Sequence, residues 1–129
     1  ILMDVDKFKN YNDTYGHPDG DTLLRRIGDI LGASLRDPYL PARFGGEEFI
    51  VLLPGADEEQ AFRVAERLRR GIEEQTQDLR GSTVSLGVAT TYNLRRDADL
   101  IIEQADQALY RSKHNGRNQT SRWSVDLAA

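Results

Sequence analysis

Apolar and polar positions alternate along this chain at two periods, and the change from one to the other marks out its elements. Residues 1–5 form a short apolar run with Asp4 and Asp6 at its end, which reads as a buried strand. Residues 8–21 are rich in Asn, Asp, Gly and Pro, so turns are expected there with one short helical piece. From Asp21 onward Leu23, Leu24, Ile27, Leu31 and Leu35 keep helical spacing, with Asp19 or Asp21 as the cap. Residues 39–44 and 49–53 predict two strands around a tight turn at Gly45-Gly46. Residues 57–75 predict a helix with Ala61, Val64, Ala65, Leu68 and Ile72 on one stripe. Residues 83–89 alternate as a strand, with Val84, Leu86 and Val88 on one face. Residues 97–114 predict a further helix through Ile101, Ala105, Ala108 and Leu109, stopped by Gly116, and residues 119–125 a last strand.

The order β-α-β-β-α-β followed by α and β is the ferredoxin-like pattern with a C-terminal addition, an α/β (α+β) fold in one domain spanning 1–129. A helical crossover makes the first and second strands run the same way, so both finish at one edge of the sheet. The turn carrying Gly45 to Glu48 then lies where Asp4 and Asp6 emerge. Crowded carboxylates repel unless a cation compensates, and a hard divalent ion such as Mg²⁺ does so while leaving positions for substrate phosphates. Each feature alone has a plainer reading: Gly-Gly before acidic residues is a common hairpin turn, and aspartates at a strand end are often caps. Their convergence favours a site.

Composition narrows the classes. The chain has 129 residues with a formal net charge of -4, which argues against a nucleic-acid binder. It has no cysteine, so thiolate metal sites, disulfides and cysteine nucleophiles are excluded. No apolar run approaches the ~20 residues of a membrane span. A cytoplasmic location and no membrane contact are expected. The start at Ile1-Leu2-Met3, inside an apolar run, suggests a piece of a longer protein.

The run Arg43-Phe44-Gly45-Gly46-Glu47-Glu48-Phe49 resembles the signature of the GGDEF family of diguanylate cyclases in its Gly-Gly-Glu-Glu-Phe form. Asp4-Val5-Asp6-Lys7-Phe8-Lys9 resembles the family's D-x-D-x-F-K segment, and Asn12-Asp13, Gly16-His17 and Gly20-Asp21 its N-D-x-x-G-H-x-x-G-D segment. Ser85-Leu86-Gly87-Val88 resembles its S-x-G strand. Ala105-Asp106, Ala108-Leu109-Tyr110, Lys113 and Gly116-Arg117-Asn118 resemble its C-terminal run.

The resemblance implies a fold similar to nucleotidyl cyclase and polymerase palm domains, and condensation of two GTP molecules into cyclic di-GMP in bacterial signalling. It implies two Mg²⁺ or Mn²⁺ ions per site, held by Asp4, the Val5 carbonyl and Glu47. Asp4, Glu47 and Glu48 are the implied catalytic set, with Glu48 supporting the site or taking the proton of the attacking hydroxyl. Asn12 and Asp21 match the guanine-reading residues; from the residues alone, turn and capping duty suits both. Lys113 and Arg117 match the triphosphate pair, although cations there also complement a helix C-terminus. Phe8 and Lys9 are implied phosphate contacts, and Gly45 and Gly46 allow the substrate to approach.

His17 is expected to fix the loop before its helix, His114 to lie exposed, Trp123 to pack in the last strand, and Asp106 and Tyr110 to hold the last helix in place. The implied partners are GTP, a second copy forming a homodimer, and a covalently linked sensor or receiver domain. The alternative is a catalytically weak or inactive GTP- or cyclic di-GMP-binding regulatory module. Two departures stand out. Many family members carry Arg-x-x-Asp before Gly-Gly as a product-inhibition site; here Arg36 remains but Tyr39 replaces the Asp. The family's N-terminal D-x-L-T-G-L-x-N-R-R segment is also absent.

Overall fold

The computed structural model describes residues 1–124. Five strands form one sheet in the order β2-β3-β1-β4-β5: β1 Leu2–Val5, β2 Leu40–Arg43, β3 Glu48–Leu52, β4 Val84–Val88 and β5 Thr120–Arg122. The helices are α1 Phe8–Tyr15, α2 His17–Ser34, α3 Glu58–Gln75 and α4 Leu94–His114, with a single 3₁₀ turn at Gln77–Leu79. β1 lies at the centre, antiparallel to β3 and β4; β2 is antiparallel to β3, and β5 is parallel to β4. β1 and β2 therefore run the same way with β3 between them. This is the ferredoxin-like core with α4 and β5 added.

The pleat sorts the side chains. Met3, Val5, Phe49, Val51, Val84, Leu86 and Val88 point to one face, where Leu23, Ile27 and Leu31 of α2 and Ala65, Leu68 and Ile72 of α3 bury them. Leu2 points to the other face and packs with Ala105 and Leu109 of α4. Asp4, two residues beyond Leu2, shares that second face, so the carboxylate emerges past the apolar contact and beside the last turn of α4. Gly87 makes this approach possible. A Cβ there would stand 2.1 Å from the Ala105 carbonyl oxygen and 2.4 Å from the Leu109 amide nitrogen.

Residues 8–21 are more helical than their composition implies. Two helices meet at Gly16, which takes φ 92°, a left-handed conformation that glycine adopts without steric cost. Pro18 falls in the first turn of α2, where its missing N–H has no intrahelical partner to lose. α2 thus starts at His17, and neither Asp19 nor Asp21 caps it; Asp19 lies in the first turn and pairs with Arg80 at 3.0 Å. His17 is an exposed first residue of α2 rather than a loop anchor.

The remaining boundaries shift by at most three residues, and the ends of α3 at Gln75 and α4 at His114 fall where expected. Asp57 caps α3 in a full capping box with Gln60. α4 begins at Leu94, capped by Asn93, with a non-helical residue at Asp97. It closes in a Schellman turn, in which the Arg117 amide donates to the Ser112 carbonyl around Gly116 at φ 115°. β5 ends at Arg122, and residue 125 of the expected last strand lies outside the described residues. Trp123 follows β5 and donates from Nε1 to Gln107 Oε1 at 2.8 Å. No helix among the described residues is long and apolar enough to cross a membrane.

Candidate functional site

Strand register assembles the acidic set. Asp4 of β1 stands opposite Glu48 of β3, and the Val5 amide donates to the Glu47 carbonyl at 3.2 Å. Directly opposed like charges destabilise a sheet, so this pairing asks for compensation. Part of it comes from α4, whose Lys113 Nζ lies 2.6 Å from Asp4 Oδ2. Asp4 is buried, at 7% exposure, while Glu47 and Glu48 are half-buried. Burial raises both glutamates above the ordinary carboxylate range, the Asp4 charge raises them further, and Lys113 opposes the shift. Glu48 adds the smallest push on Glu47, whereas for Glu48 the additional negative neighbour is Asp106.

Asp106 is thus a member of the acidic surroundings that the sequence did not reveal. It and Tyr110 are exposed on α4 and do not secure the helix in the interior; Tyr110 stacks on His114 with ring centroids 3.8 Å apart. The signal available was Asp106 lying seven residues, two helical turns, before Lys113 on one face of α4.

The turn itself is held by Arg43. Its Nε donates to the Gly45 carbonyl at 3.2 Å, and its second guanidinium nitrogen to the Gly46 carbonyl. Neither Gly45 nor Gly46 has a positive φ. Among the described residues a Cβ on Gly46 would meet nothing within 4 Å, and one on Gly45 would only touch Glu48 at ordinary contact distance. The backbone does not require glycine at either position, so the expected tight-turn reason for them does not hold. What they provide is open space over the acidic edge.

Asp6 behaves differently from Asp4. Its Oδ1 accepts from the Ser85 hydroxyl at 2.6 Å, and its Oδ2 from the Thr83 hydroxyl at 2.8 Å and the Asn118 amide at 3.0 Å. It is not among the open carboxylates. Among the described residues no three His, Cys, Asp or Glu side chains form a ready-made metal cage. Asp4, Glu47 and Glu48 still present hard oxygen donors in excess of one ammonium. That suits an ion such as Mg²⁺, which commonly takes one or two carboxylates and completes its shell with water and substrate phosphates.

The other expected residues fall around this edge. Phe8, at the start of α1, packs against the core and Lys9 is exposed. Asn12 is half-buried on α1, and its Oδ1 is buried without a hydrogen-bond partner among the described residues. That atom lies against Gly20 of α2, where a Cβ would come within 1.8 Å of it. Asp21 follows Gly20 and lines a cavity of about 580 Å³ with Arg25, Arg43 and Phe49. Lys113 is engaged with Asp4, while Arg117 is exposed in a turn with φ 64°. Arg36 lies away from the acidic set, in a cavity of about 630 Å³ shared with Tyr39 and with Arg67 of α3, a cation the sequence had not paired with it.

Known proteins resemble this chain in sequence and in fold. The family model described as "Diguanylate cyclase, GGDEF domain" matches residues 1–119. Diguanylate cyclase A of Treponema denticola is 44% identical over 126 residues, covering 94% of this chain and 34% of that protein. The solved active GGEEF domain of a diguanylate cyclase from Vibrio cholerae superposes with a TM-score of 0.87 at 33% identity, over 95% of this chain and 80% of that one. The GGDEF domain of DgcB from Caulobacter crescentus, solved in complex with c-di-GMP, gives a TM-score of 0.85 at 32% identity, over 94% and 74%. This chain spans about a third of the length of the curated relative.

Proposed function

Because this chain belongs to the GGDEF family of diguanylate cyclase domains, we propose that it carries the catalytic machinery that condenses two GTP into cyclic di-GMP and two pyrophosphates. The observation that carries the reading is the assembly of Asp4, Glu47 and Glu48 at one sheet edge by strand register, under a glycine pair that leaves the space above them open. Asp4, the Val5 carbonyl and Glu47 would hold two divalent cations, Mg²⁺ or Mn²⁺. When bound, such ions neutralise phosphate charge, make a hydroxyl more nucleophilic and stabilise the leaving oxygen of an in-line displacement.

In each half-reaction a 3′-oxygen bonds to an α-phosphorus, the α–β phosphoanhydride bond breaks, and the hydroxyl proton leaves. Glu48 would accept that proton or hold charge beside it, and its raised proton affinity suits the task. Lys113 and Arg117 would take the triphosphate, with Lys9 and the backbone at Phe8 beside them; an ammonium serves as a point charge and a guanidinium as a fork. In this reading Lys113 exchanges its Asp4 contact for phosphate when the nucleotide arrives. Asn12 and Asp21 would read the guanine edge, the carboxylate accepting from N1–H and the exocyclic amine. The unpartnered Asn12 Oδ1 is a polar group for which the described chain supplies no donor.

The described residues of one chain offer one such nucleotide site, so in this reading the second GTP comes on a second copy. The active form in this reading is a homodimer on the cytoplasmic side, brought together by a linked sensor or receiver domain. Binding of product at Arg36 and Arg67 lacks the carboxylate of the full Arg-x-x-Asp motif, because Tyr39 stands there.

The test is incubation of the protein with GTP and Mg²⁺ over a range of protein concentrations, with chromatography of the nucleotides. Cyclic di-GMP rising more than proportionally with protein is expected. GTP bound but never converted, even in a parent protein that dimerises, would overturn catalysis and leave a GTP-binding regulatory module.

A further inference from the structure

The two aspartates of Asp4-Val5-Asp6 look equivalent in sequence, yet they have different surroundings. Asp4 meets one cation; Asp6 receives the three donors already described, from Ser85 of β4, from Thr83 just before it and from the turn after α4. Ser85, one of those donors, is fully buried. A carboxylate has about four lone-pair positions, and three of Asp6's are filled from within the chain. We propose that Asp6 is a positioning residue for Arg117, fixing the turn that presents this guanidinium to the substrate triphosphate, and is not a metal ligand. The proposal rests on the reading of Arg117 as a phosphate contact.

The turn needs such a fixture. Gly116, Arg117 and Asn118 all have positive φ, at 115°, 64° and 45°. For the two that carry side chains this conformation is unfavourable, and it persists only where surrounding contacts over-determine it. Those contacts come from three directions. The Arg117 amide donates to the Ser112 carbonyl, and the Arg117 carbonyl accepts from Gln119 Nε2 at 3.0 Å. The Asn118 amide donates to Asp6. The Asn118 side chain is clamped against α3: its Nδ2 donates to Glu73 Oε2 at 2.9 Å, and its Oδ1 accepts from Arg69 at 3.0 Å. Arg69 is itself held by Glu66, which also accepts from Thr120 of β5.

Among these, Asp6, the residue directly after β1, is the contact that joins the turn to the strand carrying Asp4. Asp6, Lys7 and Arg117 line one cleft of about 450 Å³. Through this contact the spacing between the cation-binding carboxylate and the phosphate-binding guanidinium becomes a property of the folded sheet, although the residues lie more than a hundred positions apart. In Asp6→Asn one end of the side chain becomes an N–H₂ donor and the charge that strengthens all three hydrogen bonds is lost, so the hold on the Asn118 N–H weakens.

The experiment is a double-mutant cycle read by calorimetry, with α,β-methylene GTP as the probe because it cannot release pyrophosphate. Asp6→Asn is expected to weaken binding about tenfold, and Arg117→Ala by a similar factor, with the double variant no more than about twofold weaker than Arg117→Ala alone. The Mg²⁺ midpoint at saturating nucleotide should stay where it is in Asp6→Asn and shift in Asp4→Asn. Additive losses, or a displaced Mg²⁺ midpoint in Asp6→Asn, would overturn the positioning role. Should Asp6→Asn fail to fold, Glu73→Ala loosens the same turn from α3; it should weaken binding about threefold, and not at all in the Arg117→Ala background. Wild-type affinity in Arg117→Ala would remove the premise that Arg117 meets phosphate. No binding of the analogue by the wild type would overturn the GTP reading itself.

Discussion

The two glycine sites of the sheet, Gly87 on β4 and Gly45-Gly46 after β2, show how differently one residue type can be used within a single fold. At Gly87 the space a side chain would take is filled by the backbone of α4, at 2.1 and 2.4 Å from the built Cβ position. A Cβ on Gly46 would have no atom beyond its chain neighbours within 4 Å among the described residues. The first glycine is required by packing. The second is required by no contact among the described residues, and the proposed function gives it a role in admitting substrate. The same contrast separates Asp6, saturated by three internal donors, from Glu47 and Glu48, which receive no side-chain hydrogen bond among the described residues. The framework is closed and satisfied; the edge beside it is open, acidic and under-compensated.

Substitutions can break that contrast or sharpen it. The largest effect is expected from Gly87→Ala, because the obstructing atoms are backbone and α4 must move as a body. A loss of about 3 kcal/mol, at the upper end for overpacking, should appear in chemical denaturation. Next comes Gly46→Ala, which should leave the denaturation midpoint unchanged while product formation falls about tenfold, the added methyl occupying substrate space. Unchanged activity would return Gly46 to an ordinary turn. Gly20→Ala lies between the two types, since the nearest atom there is the movable end of Asn12 rather than backbone. It is expected to cost about 1 kcal/mol of stability and to weaken binding of α,β-methylene GTP severalfold, read by calorimetry.

The smallest effect concerns pH. Glu48 is half-buried with its proton affinity raised, first by burial and then by Asp4. A carboxyl with a folded-state pKa above its unfolded value favours the fold while protonated, and that contribution is lost as pH rises through the folded-state value. Glu48→Gln should therefore stabilise the metal-free chain at neutral pH by a few tenths of a kcal/mol, screened by solvent, and by nothing below the ordinary carboxylate range. Thermal melts against pH in the presence of a chelator measure this. A stabilisation independent of pH would show that packing, not charge, is responsible.

Much of the site was legible in the sequence because it is carried by local signals. The strand ending in Asp4, the hairpin at Gly45-Gly46 and the direction shared by β1 and β2 follow from periodicity and connection rules, and together they bring Asp4 and Glu48 opposite each other. Residues 8–21 misled because Asn, Asp and Gly suit turns as well as exposed helix, and the break at Gly16 is set by a single backbone angle. From the residues alone Asp6 could not be told from Asp4, which only the family resemblance singled out, since the donors Thr83, Ser85 and Asn118 lie far along the chain. Asp106 and Arg67 were missed for the same reason. What a helix face meets across space depends on packing, and their neighbours Glu48 and Arg36 belong to other elements.

The most direct measurement compares wild type with Glu47→Ala in GTP and Mg²⁺, following cyclic di-GMP and the melting temperature on the same preparations. Loss of cation binding at the reacting phosphate removes several kcal/mol of transition-state stabilisation, so product formation should fall by about 100-fold or more. The melting temperature should stay level or rise, because an uncompensated charge has been removed from beside Asp4. Product formation at the wild-type rate in Glu47→Ala would contradict the account, because the acidic edge would then not be where the chemistry happens.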